Sequence, residues 1–254
     1  MTKYFIRLSY DGTGFNGWQK QPVGQGHSVQ TEVESALSSV LRQPVEITGC
    51  GRTDAGVHAE NFISHFESDD HLDTTKTVFI LNKMLSKQIG IHAIYPVHDD
   101  AHARFDAISR SYTYRIHTQK DPFALYSWYY PYGDLNLETL NKAAALIMEF
   151  EDFSTFCKTH SDVKTTICHI SESYWLQNGK HYEYHIKADR FLRGMIRLIV
   201  GMCVQICRQK LTIDDVRKAM QSGVKTGRDW SVPAAGLTLH DISYPYFVQL
   251  SDEK

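Results

Sequence analysis

Residues 3–10 read Lys3-Tyr4-Phe5-Ile6-Arg7-Leu8-Ser9-Tyr10, and residues 28–41 read Ser28-Val29-Gln30-Thr31-Glu32-Val33-Glu34-Ser35-Ala36-Leu37-Ser38-Ser39-Val40-Leu41. The first run is rich in aromatic and branched residues and reads as a strand. Residues 11–28 are rich in Gly, Gln and Asn and read as a loop. From Val29 the period changes, with Val29, Val33, Leu37, Val40 and Leu41 at helical spacing behind Ser28 as N-cap, and Pro44 ends the helix. Working outward, strands are expected near 45–49 and 61–67. Asp73 can cap a helix carrying Val78, Leu81 and Leu85, and a strand lies near 91–98. The second half repeats the mixture. Tyr112, Tyr114 and Ile116 alternate with Thr113, Arg115 and His117 as in a half-buried strand. Asn136 caps a helix with Leu137, Leu140, Ala144 and Ile147 on one face. Residues 165–177 and 181–188 form a hairpin around Gln177-Asn178-Gly179. An apolar helix is expected from about 190 to 207. A shorter one starts at Thr212, with Thr212 and Asp215 as a capping box and Leu211 and Val216 as a staple. Strands and helices mix in both halves, so the expected class is α+β, divided into domains at 1–105 and 106–254.

The length of 254 residues suits one large domain or two small ones. The formal net charge is −2, which excludes a general electrostatic binder of nucleic acid but leaves room for a local basic groove. The longest apolar run, Leu198–Cys207, is interrupted by Gln205 and is too short for a transmembrane helix. The first residues show no signal-peptide core. Five cysteines without regular spacing argue against a disulfide framework, so a reduced, cytoplasmic protein is expected.

Gly12-x-Gly14-x-x-Gly17 follows a strand, but Trp18-Gln19-Lys20-Gln21-Pro22 follows it instead of a helix, so a glycine-rich turn or substrate loop is a better reading than a dinucleotide site. His58, His65 and His71 do not have metal-ligand spacing, and Cys203 and Cys207 read as core thiols, so no metal is expected. The densest chemistry is Gly49-Cys50-Gly51-Arg52-Thr53-Asp54-Ala55-Gly56-Val57-His58. Glycines there permit sharp turns or close approach to a ligand. An aspartate beside Arg52 is favoured in its ionised form and can serve as nucleophile or general base, or it can simply cap its own turn. Arg190, Arg193, Arg197 and Arg208 fall within roughly 60° of one another on a helix. That makes a phosphate-facing stripe or a solvated face, with Arg197 deep enough for an internal ion pair. Tyr112 and Tyr114 follow Arg104 and Arg110 and can be core residues or base-stacking rings.

Several stretches together resemble the bacterial tRNA pseudouridine synthase A family. They are Ser9-Tyr10-Asp11-Gly12-Thr13-Gly14-Phe15, Gly17-Trp18-Gln19, Ser28-Val29-Gln30, Gly51-Arg52-Thr53-Asp54-Ala55-Gly56-Val57-His58-Ala59, Ala103-Arg104-Phe105, Arg110-Ser111-Tyr112-x-Tyr114, Asp152-Phe153-Ser154, Phe191-Leu192 with Met195-Ile196-Arg197 and Gly201, and Pro233-Ala234-Ala235-Gly236-Leu237. The resemblance implies two related mixed α/β halves with antiparallel-rich sheets around a central cleft, in a homodimer that grips tRNA. It implies uridine isomerisation in the anticodon stem-loop, at positions 38–40, without metal, redox cofactor, membrane or protein partner. It implies Asp54 as the catalytic residue, Arg52 for base flipping, Tyr112 for stacking on uracil, and Arg197 as partner of the catalytic carboxylate. Arg104, Arg110 and Phe191 are the further substrate contacts. The chain departs from the family's usual residues at Asn61-Phe62 and at Ala188-Asp189-Arg190. The competing readings are a non-enzymatic RNA-binding module on the same scaffold and a synthase acting on another RNA.

Overall fold

A computed structural model describes residues 1–22, 24, 26–157, 164–224 and 230–246. The chain divides into two compact units, one of residues 1–109 with 239–254 and one of 110–238. The expected boundary was 105/106, with everything after it in the second domain. The observed break falls at 109/110, and the chain rejoins the first unit from Leu239 onward.

The first unit starts with β1 (Thr2–Tyr10), followed by α1 (Val29–Leu41), β2 (Thr48–Gly49), β3 (His58–Ser68), α2 (Thr74–Met84) and β4 (Ile89–Pro96). β1 is central, antiparallel to β3 on one side and to β4 on the other. Tyr4, Phe5 and Ile6 are all fully buried, so β1 is covered on both faces at that point. Tyr4 stacks on Phe66 and its hydroxyl accepts the Leu72 amide at 3.1 Å, while Phe5 meets Tyr244 edge-on with ring centroids 5.5 Å apart. The helix signals hold residue by residue. Ser28 accepts from the Thr31 amide and Asp73 from the Lys76 amide, and α1 ends where Arg42 turns left-handed, two residues before Pro44.

Residues 45–49 differ from expectation, because only Thr48 and Gly49 pair as strand. Val45 and Ile47 are buried, and side chains of α1 satisfy their amides, Ser38 Oγ for Val45 and Glu34 Oε1 for Ile47. Gln30 and Glu34 lie on the same face of α1, and both are buried. Gln30 accepts from the Lys20 amide and the Gln19 side chain, and it donates to Ile47 O and Glu34 Oε1. One buried amide thus ties the loop after β1, the helix and the segment before β2 into one network.

The second unit contains β5 (Ser109–His117), β6 (Trp128–Tyr129), α3 (Leu137–Leu146), β7 (Ile170–Asn178), β8 (His181–Ala188), α4 (Met195–Cys207) and α5 (Ile213–Ser222). β8 lies between β5 and β7, antiparallel to both, and β6 runs parallel to the end of β5. On β5, Thr113 and His117 are buried along with Tyr114 and Ile116, so the expected half-buried alternation gives way to burial on both faces. Asn136 and the Thr212–Asp215 capping box appear as expected. β7 begins at Ile170 rather than 165, because the Thr166 carbonyl and the Cys168 amide bond instead to Phe153 and Glu151. α4 begins at Met195 rather than 190, because Gly194 takes φ +71, a left-handed conformation that a helix cannot contain. The last strand, β9 (Leu237–Ser243), was not anticipated; it pairs with β3, giving the first unit the order β4-β1-β3-β9. No helix among the described residues is long and apolar enough to cross a membrane.

Replacing Gln30 by Met keeps the volume and removes the four hydrogen bonds that the Gln30 side chain makes. The Lys20 amide and the Ile47 carbonyl then lose their partner. Denaturant titration should show a loss of about 1–3 kcal/mol, and an unchanged midpoint would rule out this role for Gln30.

Candidate active site

In the first unit, the loop after β1 and the turn before β3 are locked together by contacts too close for side chains. A Cβ on Gly12 would lie 2.1 Å from the Val57 carbonyl oxygen, and one on Gly17, whose φ is +83, would lie 2.3 Å from the Thr53 carbonyl oxygen. Hydrogen bonds run both ways across this junction. The Trp18 amide donates to Thr53 O and the Gly56 amide to Phe15 O, each at 3.3 Å, and the hydroxyls of Tyr10 and Thr53 lie 2.9 Å apart. The loop is in turn anchored on α1, whose Val29 and Gln30 amides donate to the Gly17 and Trp18 carbonyls. These are two of the amides that a helix start leaves without an intrahelical partner. Trp18 is buried and stacks on Phe62 at 3.9 Å.

Asp54 sits on this clamped turn, half-buried, with its carbonyl accepting the Val57 amide at 3.2 Å. Arg52 is exposed, and its Nε donates to Gln19 Oε1 at 3.1 Å. The Gln30 network therefore reaches Arg52 through Gln19. The Gly12 amide donates to His58 Nδ1, which makes that nitrogen an acceptor; Asp11 Oδ1 is 3.1 Å from it and forms an ion pair only when His58 is protonated. Burial works against ionisation of Asp11, but the hydrogen bonds from Thr13 outweigh it and hold the carboxyl below its usual range.

In the second unit, Arg110 and Tyr112 lie two apart on β5 and so share a face. Tyr112 meets Phe191 edge-to-face, 5.3 Å between centroids at 85°, and Arg110 Nη1 donates to Asp189 O at 2.8 Å. Tyr114 is buried and its hydroxyl donates to Pro233 O at 2.8 Å; burial pushes that phenol well up. Arg197 is half-buried, with Nε donating to Val232 O at 2.7 Å, and the Val232 amide donates back to Arg197 O. One turn on, a Cβ on Gly201 would lie 1.9 Å from Trp230 O. The segment 230–233 thus lies along α4 and fixes Arg197.

The seven candidate residues divide between the two units. Asp54, Arg52 and Arg104 fall in the first unit, and Arg110, Tyr112, Phe191 and Arg197 in the second. The expected arginine stripe is not present. With α4 starting at Met195, Arg190 and Arg193 precede the helix, Arg208 is its C-cap, and only Arg197 is on it. The guanidinium of Arg208 instead lies over the Tyr132 ring at 5.1 Å. Of the two expected core thiols, Cys203 is buried and Cys207 half-buried, and burial pushes them up to about 12 and about 11. Both atypical stretches have structural partners. Asn61 donates to Asp241, and the Asp189 carboxylate accepts the amides of His169 and Arg190 together with the His169 ring. Sequence reading missed Gln30 and Glu34 as the support of the site loop; the signal was two polar residues on the apolar face of a helix.

The chain matches the family described as tRNA pseudouridine synthase over residues 7–106 and 150–245. These stretches contain both clamped loops, Phe191 and Arg197, while Arg110 and Tyr112 lie between them. The chain is 44% identical over 248 residues to the tRNA pseudouridine synthase A of Bacteroides thetaiotaomicron, covering 96% of this chain and 91% of that one. It is 44% identical over 246 residues to that of Parabacteroides distasonis (96% and 97%) and 32% identical over 241 to that of Chlorobaculum tepidum (94% and 96%). The chain belongs to the tRNA pseudouridine synthase A family and is an enzyme of the isomerase class.

Gly14 and Gly17 share φ +83, but a Cβ on Gly14 would meet nothing within 4 Å. Gly14→Ala and Gly17→Ala should both lose about 1–2 kcal/mol to left-handed backbone strain. Only Gly17→Ala also displaces the Thr53 carbonyl beside Asp54, and it should lose on the order of 100-fold in turnover. Equal turnover in the two variants would show that the clamp does not position the site.

Proposed function

We propose that the chain isomerises uridine to pseudouridine in the anticodon stem-loop of tRNA, at positions 38–40, with Asp54 as the catalytic carboxylate. The observation that supports this most directly is the Gly51–Ala59 motif, with Asp54 on a turn clamped by Gly12 and Gly17. The reaction breaks the N1–C1′ bond, turns the uracil and joins C5 to C1′. The C5 hydrogen leaves to solvent as a proton and N1 acquires one, so no external redox partner is required. Asp54 acts on the ribose, either as nucleophile at C1′ or by removing a ribose proton on the way to a glycal. The target base must leave its stack, at a cost of a few kcal/mol. Stacking on Tyr112 offsets part of this, ~1–3 kcal/mol. Arg52 assists the flipping, and Arg197 takes the role its motif implies, with its Nε already held by Val232. Arg104, Arg110 and Phe191 are proposed as further tRNA contacts. The homodimer and the cytoplasmic setting belong to the same proposal.

Wild type should release tritium from a tRNA transcript labelled at uridine C5, and Asp54→Asn should release none while binding the transcript within several-fold. An Asp54→Asn enzyme with a tenth of wild-type release, ~1.4 kcal/mol of barrier, would remove Asp54 from the mechanism. Phosphate contacts should also make affinity depend on salt, falling at least about tenfold between 50 and 200 mM. A flat response would count against a basic contact surface.

A further inference from the structure

The Ala103-Arg104-Phe105 motif supplies the reaction with Arg104 but leaves Phe105 without a role. Phe105 is 75% exposed. An exposed phenylalanine is ordinary by itself; what sets this one apart is how it is held. The Ala103 amide donates to His65 Nδ1 at 3.1 Å, and the Arg104 and Phe105 amides both donate to His102 Nδ1, at 3.1 and 3.2 Å. Tyr244 donates its hydroxyl to Ala103 O. The His102 amide and the Tyr246 hydroxyl both donate to the Asp106 carboxylate, at 2.6 and 2.9 Å. The turn is therefore fixed on both sides of an exposed ring. The His102 imidazole lies 4.2 Å from the Phe105 ring at 32°, supporting it, and the Arg104 guanidinium lies 5.9 Å from the ring centroid.

From this geometry we propose that Phe105 is a stacking platform for an unpaired base of the tRNA, with Arg104 beside it for the adjoining phosphate. It is a second base site, separate from the one assigned to Tyr112 for the target uracil. An aromatic face flanked by a cation is the arrangement that single-stranded nucleic acid prefers, and it tolerates any base because every base has a π-face. Phe123 is barer, at 90%, but its amide is bonded to the Asp121 carboxylate, with no arginine over its ring among the described residues. Phe105 has the Arg104 guanidinium beside its ring, and its neighbouring Asp106 carboxylate is engaged by the His102 amide and the Tyr246 hydroxyl. The proposal rests on the reading that tRNA is the substrate.

The test is equilibrium binding of an unmodified tRNA transcript to Phe105→Leu, Phe105→Trp and Phe123→Leu, with sedimentation of each variant. Phe105→Leu keeps an apolar side chain and loses the π-face. It should bind between about fivefold and a hundredfold more weakly, Phe105→Trp should restore most of the affinity, and Phe123→Leu should bind as wild type. Wild-type affinity in Phe105→Leu, or equal losses in the Leu and Trp variants, overturns the proposal. So does a change in oligomeric state, which would make Phe105 a contact between copies of the chain. Pseudouridine formation is scored separately. An enzyme that binds tRNA through Phe105 but makes no pseudouridine refutes the proposed function alone, and an active enzyme indifferent to Phe105→Leu refutes the platform alone.

Discussion

Two backbone carbonyls, those of Thr53 and Val57, occupy the space where side chains at positions 17 and 12 would begin. This contact sets most of the first unit's local geometry. Because no side chain intervenes, the loop after β1 and the turn before β3 approach closely enough to exchange amide–carbonyl hydrogen bonds, and Asp54 inherits its position from backbone rather than from a flexible neighbour. The arrangement then needs support from behind. α1 supplies it through the Val29 and Gln30 amides, bonded to the Gly17 and Trp18 carbonyls, and through the buried Gln30–Glu34 pair.

The second unit reaches a similar result by a different route. Here three motif fragments far apart in sequence, around Tyr112, Arg197 and Pro233, meet through short polar contacts. Tyr114 donates to Pro233, Arg197 and Val232 bond reciprocally, and Gly201 makes room for Trp230. These contacts give the separated fragments a physical reason to occur together. At the two departures, Asn61 and Asp189 are each bonded within their own unit.

What could be read from sequence was what is decided locally. The helix starts at Ser28, Asp73, Asn136 and Thr212 were legible because a capping side chain reaches only two or three residues. Gly12, Gly14 and Gly17 were legible as a turn because Trp18-Gln19-Lys20-Gln21-Pro22, not a helix, follows them. What could not be read depended on distant partners. Residues 45–47 are bonded to a helix instead of a strand, residues 166–168 are diverted to 151–153, and β9 loses its alternation where His240 and Asp241 are both exposed. The start of α4 failed for the opposite reason. The apolar pattern continues through Gly194, and only the backbone angle there shows that the helix has not begun.

The return of the chain to the first unit has a consequence during synthesis. β3 is complete by Ser68, but the strand that pairs with its edge, β9, ends at Ser243. About 170 residues separate the two, so at ribosomal rates part of that edge waits roughly ten to thirty-five seconds for its partner. An edge with open amides and carbonyls is a template for unwanted pairing. During that interval the nascent first unit depends on whatever shields β3, and the second unit must clear the ribosome before the first can finish folding.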